Sequence, residues 1–104
     1  MKVLLQEQCM QVGLEQGELA QLLTGESLEN LTRFGGSGGW ALALSLHDGD
    51  QAVLLDGGTY CRLVLPRTAL QGLAAGRAER DCLHFPLYLD DGTTLQLRIT
   101  IGGL

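Results

Sequence analysis

A strand–helix stretch that occurs twice constrains this chain more than any other feature. In the second copy, Cys61, Leu63 and Leu65 alternate along a strand, Pro66 marks a helix start, Leu70 and Leu73 carry an apolar stripe, and Gly76 stops it. Leu14, Leu19, Leu22 and Gly25 stand 51 positions before Leu65, Leu70, Leu73 and Gly76. A fixed separation of half the chain is an internal repeat. Carried further, the same register matches Phe34 with Phe85, and Leu44 and Leu46 with Leu95 and Leu97.

The rest of the chain fills in each copy. Val3 and Leu5 alternate on one parity and Met10, Val12 and Leu14 on the other, so a turn or bulge at Glu7-Gln8-Cys9 must separate them. Residues 15–23 form a helix whose stripe is Leu19, Leu22 and Leu23, with Glu15 and Glu18 on its solvated side. Residues 27–34 fit a helix or a strand by spacing; the strand is favoured, because the glycine run that follows leaves a helix little room to turn. Gly35-Gly36-Ser37-Gly38-Gly39 lacks the Lys-Ser/Thr of a phosphate-binding loop and precedes a strand, so it reads as a hairpin connection. Trp40, Leu42, Leu44 and Leu46 then share one strand face, opposite Ala41, Ala43, Ser45 and His47. Short strands follow around turns at 47–50 and 56–58, and a charged connection spans 77–81. The last hairpin alternates Leu83, Phe85, Leu87 and Leu89, turns at Asp90-Asp91-Gly92, and alternates back through Leu95, Leu97, Ile99 and Ile101. The expected fold is α+β: one domain over 1–104 with pseudo-repeated ββαββ halves at 1–50 and 51–104, mostly antiparallel with two short helices, the halves forming two similar layers related by a pseudo-two-fold.

Charge and cysteine content bear on function by exclusion. The net charge of −5, with seven scattered basic residues, argues against nucleic acid and against an anionic membrane surface. An acidic surface suits solubility or a basic protein partner. Three widely spaced cysteines without a C-x-x-C pattern read as reduced thiols, two or three of them buried, which with the absence of a signal-like apolar run gives a cytoplasmic expectation.

Several short motifs carry a resemblance. Met1-Lys2-Val3, Leu14 with Glu18-Leu19 and Leu22, then Gly25, Leu28-Glu29, Thr32 and Phe34-Gly35 are similar to a family of short bacterial proteins of unknown function. That family opens M-K-[IV], continues with an L-x-x-x-E-[LV]-x-x-L helix and has a T-x-F-G segment. Gln11 and Gly13 depart from the basic strand residues the pattern has there. The resemblance implies a bacterial cytoplasmic protein and lends no activity.

Candidate chemistry is sparse. Cys82 and His84 share a strand face opposite Leu83 and Phe85, and a thiol–imidazole pair there would need a third group. Parity puts Cys61 on the Leu63/Leu65 face, away from such a cluster, and His47 could join only from a neighbouring strand. The Asp residues at 48, 50, 56, 90 and 91 are explained by turns without a metal. Trp40 belongs with Leu42 and Leu44 in the core. Cys82, His84, Pro86 and Tyr88, taken with Ala41 and Ala43, make an uncharged outward strand surface, which marks a second buried layer or an interface. The sequence therefore reads as a non-catalytic interaction or regulatory module, of which an inhibitor or immunity-type protein is one form, without cofactor or metal. Its interaction surface is Ala41, Ala43, Cys82, His84 and Tyr88, and its partner is another protein or a second copy. The alternative is a small enzyme or ligand binder using Cys82 and His84 near the Gly35–Gly39 loop.

Overall fold

A computed structural model describes residues 1–55, 58–76 and 81–102. Among them the elements run β1 (Lys2–Gln6), β2 (Cys9–Leu14), α1 (Gln16–Leu23), β3 (Leu28–Gly35), β4 (Gly38–His47), β5 (Val53–Leu55), β6 (Tyr60–Pro66), α2 (Arg67–Ala74), β7 (Cys82–Tyr88) and β8 (Thr94–Ile101). Each half is ββαββ, and the α+β expectation holds. The undecided segment is a strand, β3. The first sheet has the order β1-β2-β8-β7 and the second β3-β4-β6-β5. Hairpin pairs are antiparallel, while the central pairs β2·β8 and β4·β6 are parallel.

The halves interlock. Exchanging β1, β2, β3 and β4 with β5, β6, β7 and β8 turns the first sheet's order into the second's read backwards. Each sheet thus takes one hairpin from each half, and neither half supplies a complete layer.

The repeat register changes once, which corrects the sequence reading. Lys2↔Gly13 and Val3↔Val12 correspond to Val53↔Val64 and Leu54↔Leu63, a separation of 51. Beyond the helices, Leu28↔Leu44 corresponds to Leu83↔Ile99, a separation of 55. Phe34 is therefore not the counterpart of Phe85, nor are Leu44 and Leu46 those of Leu95 and Leu97; Leu44 and Leu46 match Ile99 and Ile101. The longer connection between α2 and β7 absorbs the difference; most of the charged stretch at 77–81 lies outside the described residues, as does the expected turn residue Asp56.

Inner faces of both sheets and the helical stripes share one core. Met10, Val12, Leu14, Leu97, Ile99 and Leu87 come from the first sheet and Leu28, Leu42, Leu44, Leu63 and Leu65 from the second, joined by Leu19, Leu22, Leu70 and Leu73. Trp40 packs against this cluster, as its parity requires. Each buried aliphatic side chain of this size contributes about 1.5–3 kcal/mol. α1 lies against α2, β3 and β4, and α2 also against β6 and β7.

Local chemistry explains the element ends. Glu7 (φ 42) and Gln8 (φ 61) form the two-residue turn that switches parity between β1 and β2. Glu15 precedes α1, and Glu18 is not simply a solvated side chain: its carboxylate accepts the Glu15 N–H at 3.0 Å and pairs with the Met1 amino group. Pro66 ends β6 and caps α2, its ring replacing an N–H that no helical carbonyl would accept. Asp91 accepts the Thr93 N–H at 3.0 Å and its hydroxyl at 2.6 Å, the expected turn role. Among the described residues no helix is long and apolar enough to cross a membrane.

Candidate functional site

The two sheets turn outer faces of different chemistry to solvent, and the residues picked out by sequence are divided between them. Cys82, His84 and Tyr88 lie on β7 in the first sheet, Ala41 and Ala43 on β4 in the second. The single uncharged surface expected from sequence does not exist, because strand parity is local whereas strand order is not. The first sheet's outer face is also not uncharged. Its cross-strand rows are Cys82–Thr100–Gly13–Lys2, His84–Arg98–Gln11–Leu4 and Pro86–Gln96–Cys9–Gln6.

Cys82 and His84 do meet there, with a third member that the sequence reading missed. Arg98 Nε donates to Cys82 Sγ at 3.1 Å, and His84 Nε2 lies 3.4 Å from the same sulfur. Arg98 is the direct cross-strand partner of His84. Counting outward from the Asp90–Gly92 turn would have found it, since Leu89 donates to Thr93 and each step back along β7 matches one step forward along β8. Cys82 is only 8% exposed. Its neighbour Thr100 has a buried hydroxyl oxygen without a hydrogen-bond partner among the described residues. Among the described residues no carboxylate is hydrogen-bonded to His84.

The other sequence candidates lie elsewhere. Cys61 faces inward on β6 at 5% exposure, as its parity required. His47 on β4 clamps its own turn: the Gly49 N–H donates to Nδ1 at 3.3 Å, leaving Nε2–H to donate to the Gln51 carbonyl at 2.7 Å. The glycine loop contracts to a turn between β3 and β4 and lines a hollow with Leu31, Arg33, Trp40, Ala41, Thr59 and Tyr60. It belongs to the second sheet, so it forms no common site with Cys82 and His84. Among the described residues no group of three His, Cys, Asp or Glu side chains could hold a metal ion.

The second sheet's outer face is hollowed and carries several exposed apolar side chains around a row that holds Glu29 and Arg62. Its rows are Leu31–Ala41–Tyr60, Glu29–Ala43–Arg62–Leu55 and Ser45–Val64–Val53. Leu31 is 53% exposed, Tyr60 44%, Val53 40% and Leu55 37%, whereas Ala41 between the first two is only 5% exposed. Two small alanines on the central strand, flanked by larger side chains, create the hollow. Ser27, Glu29, Ala43, Ser45, Arg62 and Val64 line its continuation. The Tyr60 hydroxyl donates to Glu29 at 3.4 Å along its rim.

The internal repeat provides a comparison within the molecule. Core positions keep their chemistry between halves: Leu63 for Val12, Leu65 for Leu14, Ile99 for Leu44. Outer positions are mixed: Leu4 answers Leu55 and Thr100 answers Ser45, but others change. Where the first sheet has Lys2, Gln96 and Arg98, the second has Val53, Ala41 and Ala43. Packing explains the shared core positions and leaves the exposed apolar side chains of the second sheet's outer face without a structural role in the monomer.

No family model matches the chain, and neither a curated protein nor a solved structure matches it.

Proposed function

We propose that this protein is a non-catalytic interaction module that binds a protein partner over the outer face of its second sheet. The observation that carries this reading is the exposure of Leu31, Val53, Leu55 and Tyr60 around Ala41 and Ala43. Contiguous exposed apolar surface with a polar rim is the common form of a protein-binding site. Glu29 at the β3 edge and Arg62 within the face supply its polar contacts, and Tyr60 is an aromatic anchor of the kind that dominates such interfaces. The net charge of −5 favours encounter with a basic partner.

Capture from a lysate of the source cell, with wild type and Ala43→Gln as paired baits, tests the reading. The longer amide fills the hollow between Glu29 and Arg62 without removing any core atom. A protein held by wild type and lost by the variant, with thermal unfolding unchanged, supports the proposal. The same retained set for both baits overturns it.

The contact of Arg98 with Cys82 favours a second reading, in which Cys82 is a nucleophile and His84 its proton partner. The first sheet's outer face, rather than the second's, would then be the working surface.

A further inference from the structure

β3 is an edge strand of the second sheet. Ala41 donates its N–H to the Thr59 carbonyl on the β6 side at 2.9 Å, so its backbone groups face away from β3. Its β3 partner Leu31 is therefore at a non-hydrogen-bonded position, with N–H and C=O turned out over the edge. Alternation gives Glu29 and Arg33 the same orientation. No strand pairs with β3 on that side among the described residues.

The other three edges carry features that oppose strand addition. β5 has three residues, β7 contains Pro86, and β1 has five residues and Lys2. β3 has eight residues without proline or lysine, and residues 31–35 are all exposed. Leu31 and the bulged Phe34 are 53% and 72% exposed.

Self-pairing has one complementary register. In a two-fold antiparallel pair, residues opposite each other share a face, so the axis must pass through a residue. Centring on Glu29 or Arg33 opposes like charges, centring on Asn30 opposes Glu29 to Leu31, and centring on Thr32 opposes Arg33 to Leu31. Centring on Leu31 places Leu31 against Leu31 of the second copy, Glu29 against Arg33, and Arg33 against Glu29. The outward N–H and C=O groups of these three residues then meet as hydrogen-bonded pairs, and Asn30 faces Thr32 on the other side of the strand. The Glu29–Leu31–Arg33 face is thus self-complementary in charge and backbone polarity.

We infer that two copies of this chain associate through antiparallel pairing of β3 about Leu31, making one continuous eight-stranded sheet from their second sheets. The inference rests on the interaction reading above and names a second copy as occupant of its edge. Sedimentation equilibrium of wild type, Arg33→Glu and the double variant Glu29→Arg/Arg33→Glu tests it. A wild-type dimer should weaken by about tenfold in Arg33→Glu, since two like-charge pairs replace two opposite pairs, and recover in the double variant. Independently, Leu31→Cys should link two chains through a disulfide under a mild thiol oxidant, because Cα atoms at a hydrogen-bonded antiparallel pair lie about 5.5 Å apart; a Tyr88→Cys control should not. A wild-type monomer at all concentrations, an Arg33→Glu dimer as tight as wild type, or no preference for linkage at position 31 overturns the inference. Loss of the dimer alongside retained lysate capture at the Ala43 hollow would sink this inference alone, whereas a dimer without that capture would sink the wider reading alone.

Discussion

Leu31 and Ala41 face each other across β3 and β4 with their backbone hydrogen-bonding groups turned away from one another, Ala41 toward β6 and Leu31 toward open solvent. This relationship gives the outer face of the second sheet both its hollow and its unsatisfied edge. It arises because β4 is held on its other side by the parallel strand β6, which fixes the phase of the whole ladder.

The change in repeat register predicts opposite outcomes for two residues that the sequence treats alike. Leu44, fully buried, should cost about 2–5 kcal/mol as Leu44→Ala. Phe34, 72% exposed and bulged out of the ladder, should cost under about 0.5 kcal/mol as Phe34→Ala. Urea unfolding of each variant gives both values, and a large loss at Phe34 would contradict the corrected register.

The β1–β2 turn holds two non-glycine residues at positive φ. Glu7→Asn with Gln8→Gly supplies the residues this turn type favours and should raise stability by about 1 kcal/mol. The Gln8 carbonyl that accepts the Gln96 N–H is retained in the variant. Denaturant midpoints at constant slope check the gain.

Glu18 gives stability a dependence on acid. Burial pushes its carboxyl up, but the Glu15 N–H and the hydrogen bond and charge of the Met1 amino group together hold it below the ordinary carboxylate value. A group depressed in the folded state contributes above its unfolded value and ceases to contribute as pH falls through its folded value. Wild type should therefore lose this stabilisation as pH falls below the normal carboxylate range. Glu18→Gln should cost about 1 kcal/mol at neutral pH and flatten that part of the profile. Thermal unfolding between pH 7 and strongly acid conditions measures both.

Cys82 and Cys61 are both buried, at 8% and 5% exposure, so both should alkylate more slowly than the half-buried Cys9. Because Arg98 donates to the Cys82 sulfur, Arg98→Gln should lower the preference of Cys82 for iodoacetate over neutral iodoacetamide, by about threefold for one partly exposed charge. Mass spectrometry of alkylated peptides reads each cysteine separately. An unchanged preference would remove the electrostatic basis of the nucleophile reading.

What the sequence made legible was what depends on near neighbours. Alternation placed Trp40, Leu42 and Leu44 inside and Ala41 and Ala43 outside, and proline and glycine marked the helix ends. The repeat was legible through both helices, where Leu14, Leu19 and Leu22 answer Leu65, Leu70 and Leu73. It failed beyond them because a connection can lengthen without disturbing either element, and a leucine-rich pattern aligns with itself in several registers. The pairing of Tyr60 with Ala41 belongs to a parallel contact across intervening chain and leaves no local trace. Leu31, Tyr60, Val53 and Leu55 could therefore not be assembled into one face from sequence. Arg98 was within reach, by counting back from the final turn.

Hydrogen–deuterium exchange of the wild-type protein, compared between dilute and concentrated solution, tests the central claim most directly. The account predicts that the amides of Glu29, Leu31 and Arg33 slow together as concentration rises while those of β1 and β7 stay unchanged. Equal exchange of β3 at both concentrations, or new protection along β1 or β7 instead, would contradict it.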